Sequence, residues 1–393
     1  MMRLVQGWWF GVLVLAGCGE DGVVSEPDAP VVVREWKTKE WAMARGGVEV
    51  QGRVHDGVLV KPVVEWTFDA GKDILAGAAV VDGVAVFGDQ GGRIRALDLA
   101  KREVLWTYEA GEAGDAAPAI SRGRVFIGAY DKVFRALELE TGEEIWRIKG
   151  RYEFPTGATV VDGAEGEGQR VVVNGYDGIT RCLRARDGAE IWQFETADYL
   201  FGTPAVIDGE WVSYGGCDAM IRKLRLSDGE SAVEWEVDAQ VTTTVASYDG
   251  VVFACSYGQE VVAVDVRAGK LKWTYEAEDL GLGSAPGVDE KAVYLGGEGK
   301  VMHAIDRRTG KGLWKFKTGG SIGSAPLVFD DALVFGSTDG RLYAVDKESG
   351  EEIWRLDLGE GVMADPAFAD GRLVIGGEDG TVFVIGEGEG NEN

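Results

Sequence analysis

The 393-residue chain carries 66 acidic against 40 basic side chains and only two histidines, a formal charge of −26 at neutral pH. That balance argues against nucleic acid or anionic lipid headgroups as ligands, because phosphate binding needs clustered Lys and Arg. Length alone would suggest two or three domains, but an internal repeat overrides that expectation.

Residues 1–17 read as a cleaved export signal. Arg3 gives a small positive start, and Leu4 to Ala16 form a mostly apolar run too short to cross a bilayer comfortably. The run ends in Leu15-Ala16-Gly17-Cys18, which resembles the bacterial lipobox. The resemblance implies cleavage before Cys18, acylation of that residue, and stable tethering through its acyl chains. By the same resemblance, Gly19 in place of Asp implies no retention at the inner membrane. Loss of Arg3 with the signal takes the formal charge from −26 to about −27. Residues 18–35 read as an acidic, flexible tether, and residues 36–60 as a short N-terminal strap.

From residue 61 to 393 one unit recurs. Its strongest segment reads ALDLAKREVLW (96–106), ALELETGEEIW (136–146), CLRARDGAEIW (182–192), AVDVRAGKLKW (263–273), AIDRRTGKGLW (304–314) and AVDKESGEEIW (344–354). A further copy, KLRLSDGESAVEW (223–235), has two extra residues. Trp66, Trp106, Trp146, Trp192, Trp235, Trp273, Trp314 and Trp354 follow at spacings of 40, 40, 46, 43, 38, 41 and 40 residues. Each unit holds four short runs rich in Val, Ile, Leu and aromatics, the pattern of a β-propeller blade. Pairs such as Asp177-Gly178 and Asp339-Gly340 suit the hairpin between second and third strands. Pro118, Pro204, Pro286, Pro326 and Pro366 open first strands, and proline, lacking an N–H, belongs at an edge such as the one lining the axis.

After Trp354 three strands remain, and the chain stops at Asn393, one residue before another tryptophan would fall. The matching outer strand stands upstream, in VVEWTFD with Trp66. The expected fold is therefore all-β: a monomeric, eight-bladed propeller of four-stranded antiparallel blades. Pairing of the Trp66 strand with the C-terminal strands closes it and leaves no free edge between the termini. The eight tryptophans are expected to fill the wedges between blades. The tether and strap are expected to be removable, through residue 50, at little cost.

The pattern Ala-x-Asp-x-x-x-Gly-x-x-x-Trp, complete in 263–273, 304–314 and 344–354, resembles the docking motif of the pyrroloquinoline-quinone (PQQ) β-propeller repeat. Arg102 replaces the Gly in 96–106, and Cys182 and Arg184 replace Ala and Asp in 182–192. Trp41-x-Met43-x-Arg45-Gly46 resembles a strap found in bacterial PQQ-like propellers. WD40 repeats match less well, lacking here their Trp-Asp and Gly-His signatures. The repeat serves both quinoprotein dehydrogenases and the non-catalytic outer-membrane assembly lipoproteins of the BamB family, so it is scaffolding first.

The chemistry favours the second kind. Quinoprotein dehydrogenases resemble much longer chains with an adjacent Cys-Cys disulfide, whereas Cys18, Cys182, Cys217 and Cys255 are dispersed here and the copies are nearly minimal. No cofactor, metal site or catalytic residue is expected: His303 holds the strand position of Tyr343, His55 stands alone, and no Cys or His spacing fits a metal. Cys217 and Cys255 are expected to be free thiols. One feature breaks the repeat: the residue before the docking Ala is Arg95, Arg135, Arg181 and Arg222 in four successive blades. These arginines either pair with carboxylates between blades or form a basic arc for an acidic partner. The resemblance implies a non-enzymatic scaffold, lipid-anchored on the periplasmic face of the outer membrane, with partners in the barrel-assembly complex. A generic extracytoplasmic binder of peptide, sugar or surface protein is the main alternative, ahead of a PQQ-dependent dehydrogenase.

Overall fold

The computed structural model describes residues 41–388 apart from 115, 165 and 282. The expected signal, the tether with Cys18, and residues 36–40 lie outside the described residues. The β-branched and aromatic runs form strands of two to eight residues, and these assemble into eight four-stranded antiparallel sheets. In the first blade the strands are Ala79–Val81, Val84–Gly88, Arg93–Asp98 and Glu103–Glu109, joined in chain order from axis to rim. First strands of successive blades touch one another around the axis. The five prolines stand immediately before these innermost strands.

Burial follows from the radial order. A second strand such as Val84–Gly88 is buried on both faces, because a neighbouring blade lies against each. Outer strands such as Glu103–Glu109 alternate, sending charged residues outward and Trp106 inward. The apolar core consequently lies in the wedges between blades.

Closure is as expected. Pro62–Asp69 pairs antiparallel with Thr381–Glu387, running from Pro62 opposite Glu387 to Asp69 opposite Thr381, with Trp66 facing Val384. The Val60 and Lys61 N–H groups both donate to the Glu387 carboxylate at 2.8 Å.

The tryptophans dock by one rule. Trp106 Nε1 donates to the Leu139 carbonyl of the next blade at 2.7 Å, and Trp146, Trp192, Trp273 and Trp314 repeat the bond to Ala185, Leu226, Arg307 and Lys347 at 2.8–2.9 Å. The repeat glycine of the next blade lies on the indole: Gly142 has φ 72°, and a Cβ there would stand 2.6 Å from Trp106. Both the backbone and the space therefore require glycine. Trp354 meets no such turn and donates instead to the Leu59 carbonyl at 2.6 Å, so the segment entering the closing strand substitutes for it. In the blade that follows Trp66 the matching turn carries Arg102, at φ 60°, in place of the glycine, and Trp66 Nε1 has no acceptor among the described residues.

Trp235 departs from expectation. The hairpin of its blade keeps the usual ten-residue span, which places Val233 opposite Lys223 and carries Trp235 two residues further, opposite Ile221. The turn is not enlarged and the strand, Ser231–Glu236, keeps the six residues of counterparts such as Glu144–Lys149, so the tryptophan itself stands two positions further along it. Lys223 fills the vacated position: its ammonium donates to the Val266 carbonyl at 3.0 Å, the bond a docking Trp would make, and lies 3.6 Å from the centre of the Trp211 ring.

Candidate functional site

A propeller leaves the edges of its innermost strands facing the axis, with backbone groups unpaired. Here the strap satisfies them. Carbonyls of Trp41, Ala42, Val48, Glu49, Gln51 and Gly52 accept from the N–H groups of Val80, Ile120, Val206, Ser247, Val288 and Val328 at 2.5–2.9 Å. The Met43 sulfur faces the Val160 N–H at 3.3 Å. The strap therefore visits seven consecutive blades, and its own Trp41 and Val50 are buried. Midway, the chain turns inward through a 3-10 turn, Ala44–Gly46. Arg45 there is left-handed, with φ 59°, and its carbonyl accepts the Gly52 N–H at 3.0 Å.

That turn sends the Arg45 side chain to the floor of an axial cavity of about 370 Å³. The walls are the segments that precede the innermost strands, including Gly77, Thr156, Thr203, Gly323 and Asp365. Arg45 is 4% exposed, and neither Nη atom has an acceptor among the described residues. Burial lowers its pKa to about 10, with Asp365 acting in the opposite direction, so it stays charged at neutral pH. Burial raises the Asp365 carboxyl above its ordinary value, countered by Arg45. Asp365 accepts the Ala325 N–H at 2.7 Å.

Aromatic side chains edge the cavity on the side of blades two to four. Tyr130, Tyr176 and Phe201 line it, with Tyr176 and Phe201 ring centres 4.6 Å apart. Tyr199 lies 6.0 Å from Tyr176 and 6.3 Å from Tyr152, extending the patch outward. Tyr152 and Tyr199 are 48% and 49% exposed. The sequence reading missed this patch. Its signal was the presence of Tyr152 and Tyr199 in RYEFP and DYLFG, at connections where other copies carry small or charged residues.

The four arginines do not form an exposed arc. Arg95, Arg135, Arg181 and Arg222 are all buried, at 7% exposure or less. Each pairs with a carboxylate in its own blade, not between blades: Asp89, Asp131, Asp177 and Asp218. The contact between blades is aromatic, since Arg95, Arg135 and Arg181 lie over Phe68, Tyr108 and Phe154 of the preceding blade or its connection. Tyr343 holds the same position, donating to Asp339 at 2.7 Å, while buried His303 meets the Tyr275 hydroxyl at 3.1 Å. Burial also pushes the His303 pKa down.

Arg181→Tyr should therefore keep a hydrogen bond to Asp177 and shift stability by no more than about 1 kcal/mol. Arg181→Leu should cost about 3–5 kcal/mol, because it leaves a buried carboxylate unpaired. Burial works against the Asp177 carboxylate, but its bonds to Arg181 and to the Arg151 and Ile179 N–H groups hold the pKa below 3.8. The folded value lies below the unfolded one, so the pair stabilises above pH 3.8 and its contribution is lost as the pH falls through the folded value. Urea unfolding of both variants at pH 7 and pH 3 checks this; equal losses for Tyr and Leu would refute it.

Cys182, Cys217 and Cys255 are free thiols. Among the described residues no three His, Cys, Asp or Glu side chains converge as a metal site. Among the described residues that line the axial cavity, Asp365 is the single carboxylate, so a calcium ion there would depend on backbone carbonyls and water for most of its ligands.

The model of a family described as outer membrane protein assembly factor BamB matches residues 63–198, 176–315 and 297–393. A 1-butanol dehydrogenase (cytochrome c) from Thauera butanivorans is 31% identical over 131 residues, 28% of this chain and 19% of that protein. The chain thus aligns with under a fifth of that relative. Among solved structures, BamB from Moraxella catarrhalis superposes with a TM-score of 0.70 at 19% identity, covering 83% of this chain and 99% of that one. A quinohemoprotein alcohol dehydrogenase from Comamonas testosteroni gives 0.73 at 14% identity, over 90% and 82% of the two chains. At such identities these structures share the fold.

Proposed function

The chain belongs to the family of the outer membrane protein assembly factor BamB, and from that premise we propose that it is a non-catalytic docking scaffold. In this reading it is lipid-anchored through Cys18 on the periplasmic face of the outer membrane and serves the assembly of β-barrel proteins. The observation that carries the reading, beside the family match, is the aromatic patch beside the axis, in which half-exposed Tyr152 and Tyr199 flank the partly buried Tyr176. Rigid tyrosines supply large contact area at little conformational entropy, which is why they anchor protein interfaces. The ring holds them on connections fixed by paired strands on either side, so a partner meets a preorganised surface.

The test is capture of the native lipoprotein from detergent-solubilised envelope. Barrel-assembly components are expected to come with it, and Tyr176→Ala with Tyr199→Ala should weaken that capture at least tenfold without moving the melting curve. Recovery of the chain without such components refutes the assembly role. Cys18→Ser should release a folded protein from the membrane, and unchanged membrane association would refute the anchor.

The local identity to a cytochrome c-linked butanol dehydrogenase supports a second reading, a quinone-dependent enzyme. It predicts that PQQ with Ca²⁺ raises the melting temperature. A ligand at one hundred times its Kd adds roughly 2.7 kcal/mol, so a flat response decides against it.

A further inference from the structure

We propose that the axial cavity is a carboxylate-binding site in which Arg45, presented from below by the strap, receives the anion and Tyr130, Tyr176 and Phe201 receive an apolar or aromatic group beside it. This goes beyond the docking role and does not rest on it.

Three observations converge. The first is the state of the guanidinium. A buried charge without a partner is among the most costly groups a fold can hold, and both Nη atoms of Arg45 lack acceptors among the described residues. Asp365 acts on it only through space and is already engaged by the Ala325 N–H. The second is how the side chain is presented. Arg45 takes a left-handed backbone conformation that non-glycine residues rarely adopt. Gly52 makes room for it, since a Cβ there would stand 2.7 Å from Arg45 Nη2. A surface arginine needs neither arrangement. The third is the size and lining of the cavity. The cavity volume suits a small ligand or one or two residues of a peptide, and it joins one cation to an aromatic wall.

The donor set selects among anions. A planar guanidinium matches a carboxylate with two parallel N–H···O bonds. One cation does not neutralise a polyphosphate, and a chain with a formal charge of −26 repels large polyanions beyond the local site. Two sources share the required chemistry: a free organic acid, or the C-terminal carboxylate of a polypeptide whose last side chain is aromatic.

Calorimetric titration of the full chain tests the proposal. The probes are 3-phenylpropionate and its amide, then a tetrapeptide ending in phenylalanine as free acid and as amide. At least one acid should bind roughly ten- to a hundredfold more tightly than its amide, the size of a buried charge-assisted hydrogen bond. Binding of the small acid alone identifies a free organic acid, and binding of the peptide acid identifies a chain terminus. Arg45→Gln should abolish the preference for acid over amide, and Tyr176→Ala should weaken both forms alike. The comparison of acid with amide uses the unaltered protein, so it stands even if Arg45→Gln unfolds. Equal binding of acid and amide, or no binding of either acid at millimolar concentration, overturns the proposal. Loss of the assembly partners in the capture experiment with the acid preference intact would refute the docking role and leave this site standing.

Discussion

Deletion of residues 36–55 should lower the melting temperature by on the order of 10 °C. The strap looked dispensable in the sequence, and the structure reverses that expectation. Truncating a buried tryptophan alone costs about 3–5 kcal/mol, and Trp41 is 5% exposed. The deletion also strips the strap partners from the innermost strands of seven blades and removes the ion pair of Arg53 with Glu290. Water in the opened channel can rehydrate the freed N–H groups, so the full vacuum strength of those bonds is not lost. The apolar contacts under Trp41 and Val50 have no such substitute. Trp41→Ala alone should account for about half the effect. Thermal unfolding followed by near-ultraviolet circular dichroism checks both, and a deletion that melts with the intact chain would show that the strap is only an ornament of the axis.

The architecture was legible because its determinants are local and repeated. A period near 40, four apolar runs per period and glycine-containing turns specify blades, and the missing eighth tryptophan located the closing strand at Trp66. The site was less legible because it depends on chain segments far apart in sequence. Nothing in Trp41 to Gly52 announces that its carbonyls serve seven blades, since backbone bonding leaves no side-chain signature. Arg45 was noticed only as part of the strap motif. The arginines before the docking position drew attention by their regularity, but regularity arose from a repeated internal pair with an aspartate of the preceding turn, four residues earlier for Arg135, Arg181 and Arg222 and six for Arg95. Trp235 misled for the opposite reason: spacing along the chain counted it as docked, while hairpin register, fixed by the Asp228-Gly229 turn, put Val233 in its place.

Extending the deletion to residue 72 should produce a larger and different failure. It removes Pro62–Asp69, the outer strand of the closing blade, along with the Leu59 carbonyl that Trp354 requires. Thr381–Glu387 then becomes an open edge, and Val382, Val384 and Ile385 lose cover at the junction of first and last blades. Other blades are held by hairpins, so their strands stay together at little loop-closure cost, whereas this pairing joins residues more than 300 apart in sequence. The pairing acts as the clasp that makes eight sheets one cooperative unit. Without it the two flanking blades can separate, and a flat, apolar edge is a template for association between chains. Aggregation, or a broad transition in place of a single one, is the expected result on heating. Trp66→Ala should do much less than a docked tryptophan would, below the 3–5 kcal/mol of a buried aromatic, because Trp66 is only partly buried and its Nε1 has no acceptor. A synthetic peptide spanning Lys61 to Ala70, added to the truncated chain, should re-form the edge by strand addition and restore a single transition. A truncated chain that melts cooperatively at the temperature of the 36–55 deletion would mean that the ring closes without its outer strand, and that the clasp lies among the innermost strands at the axis.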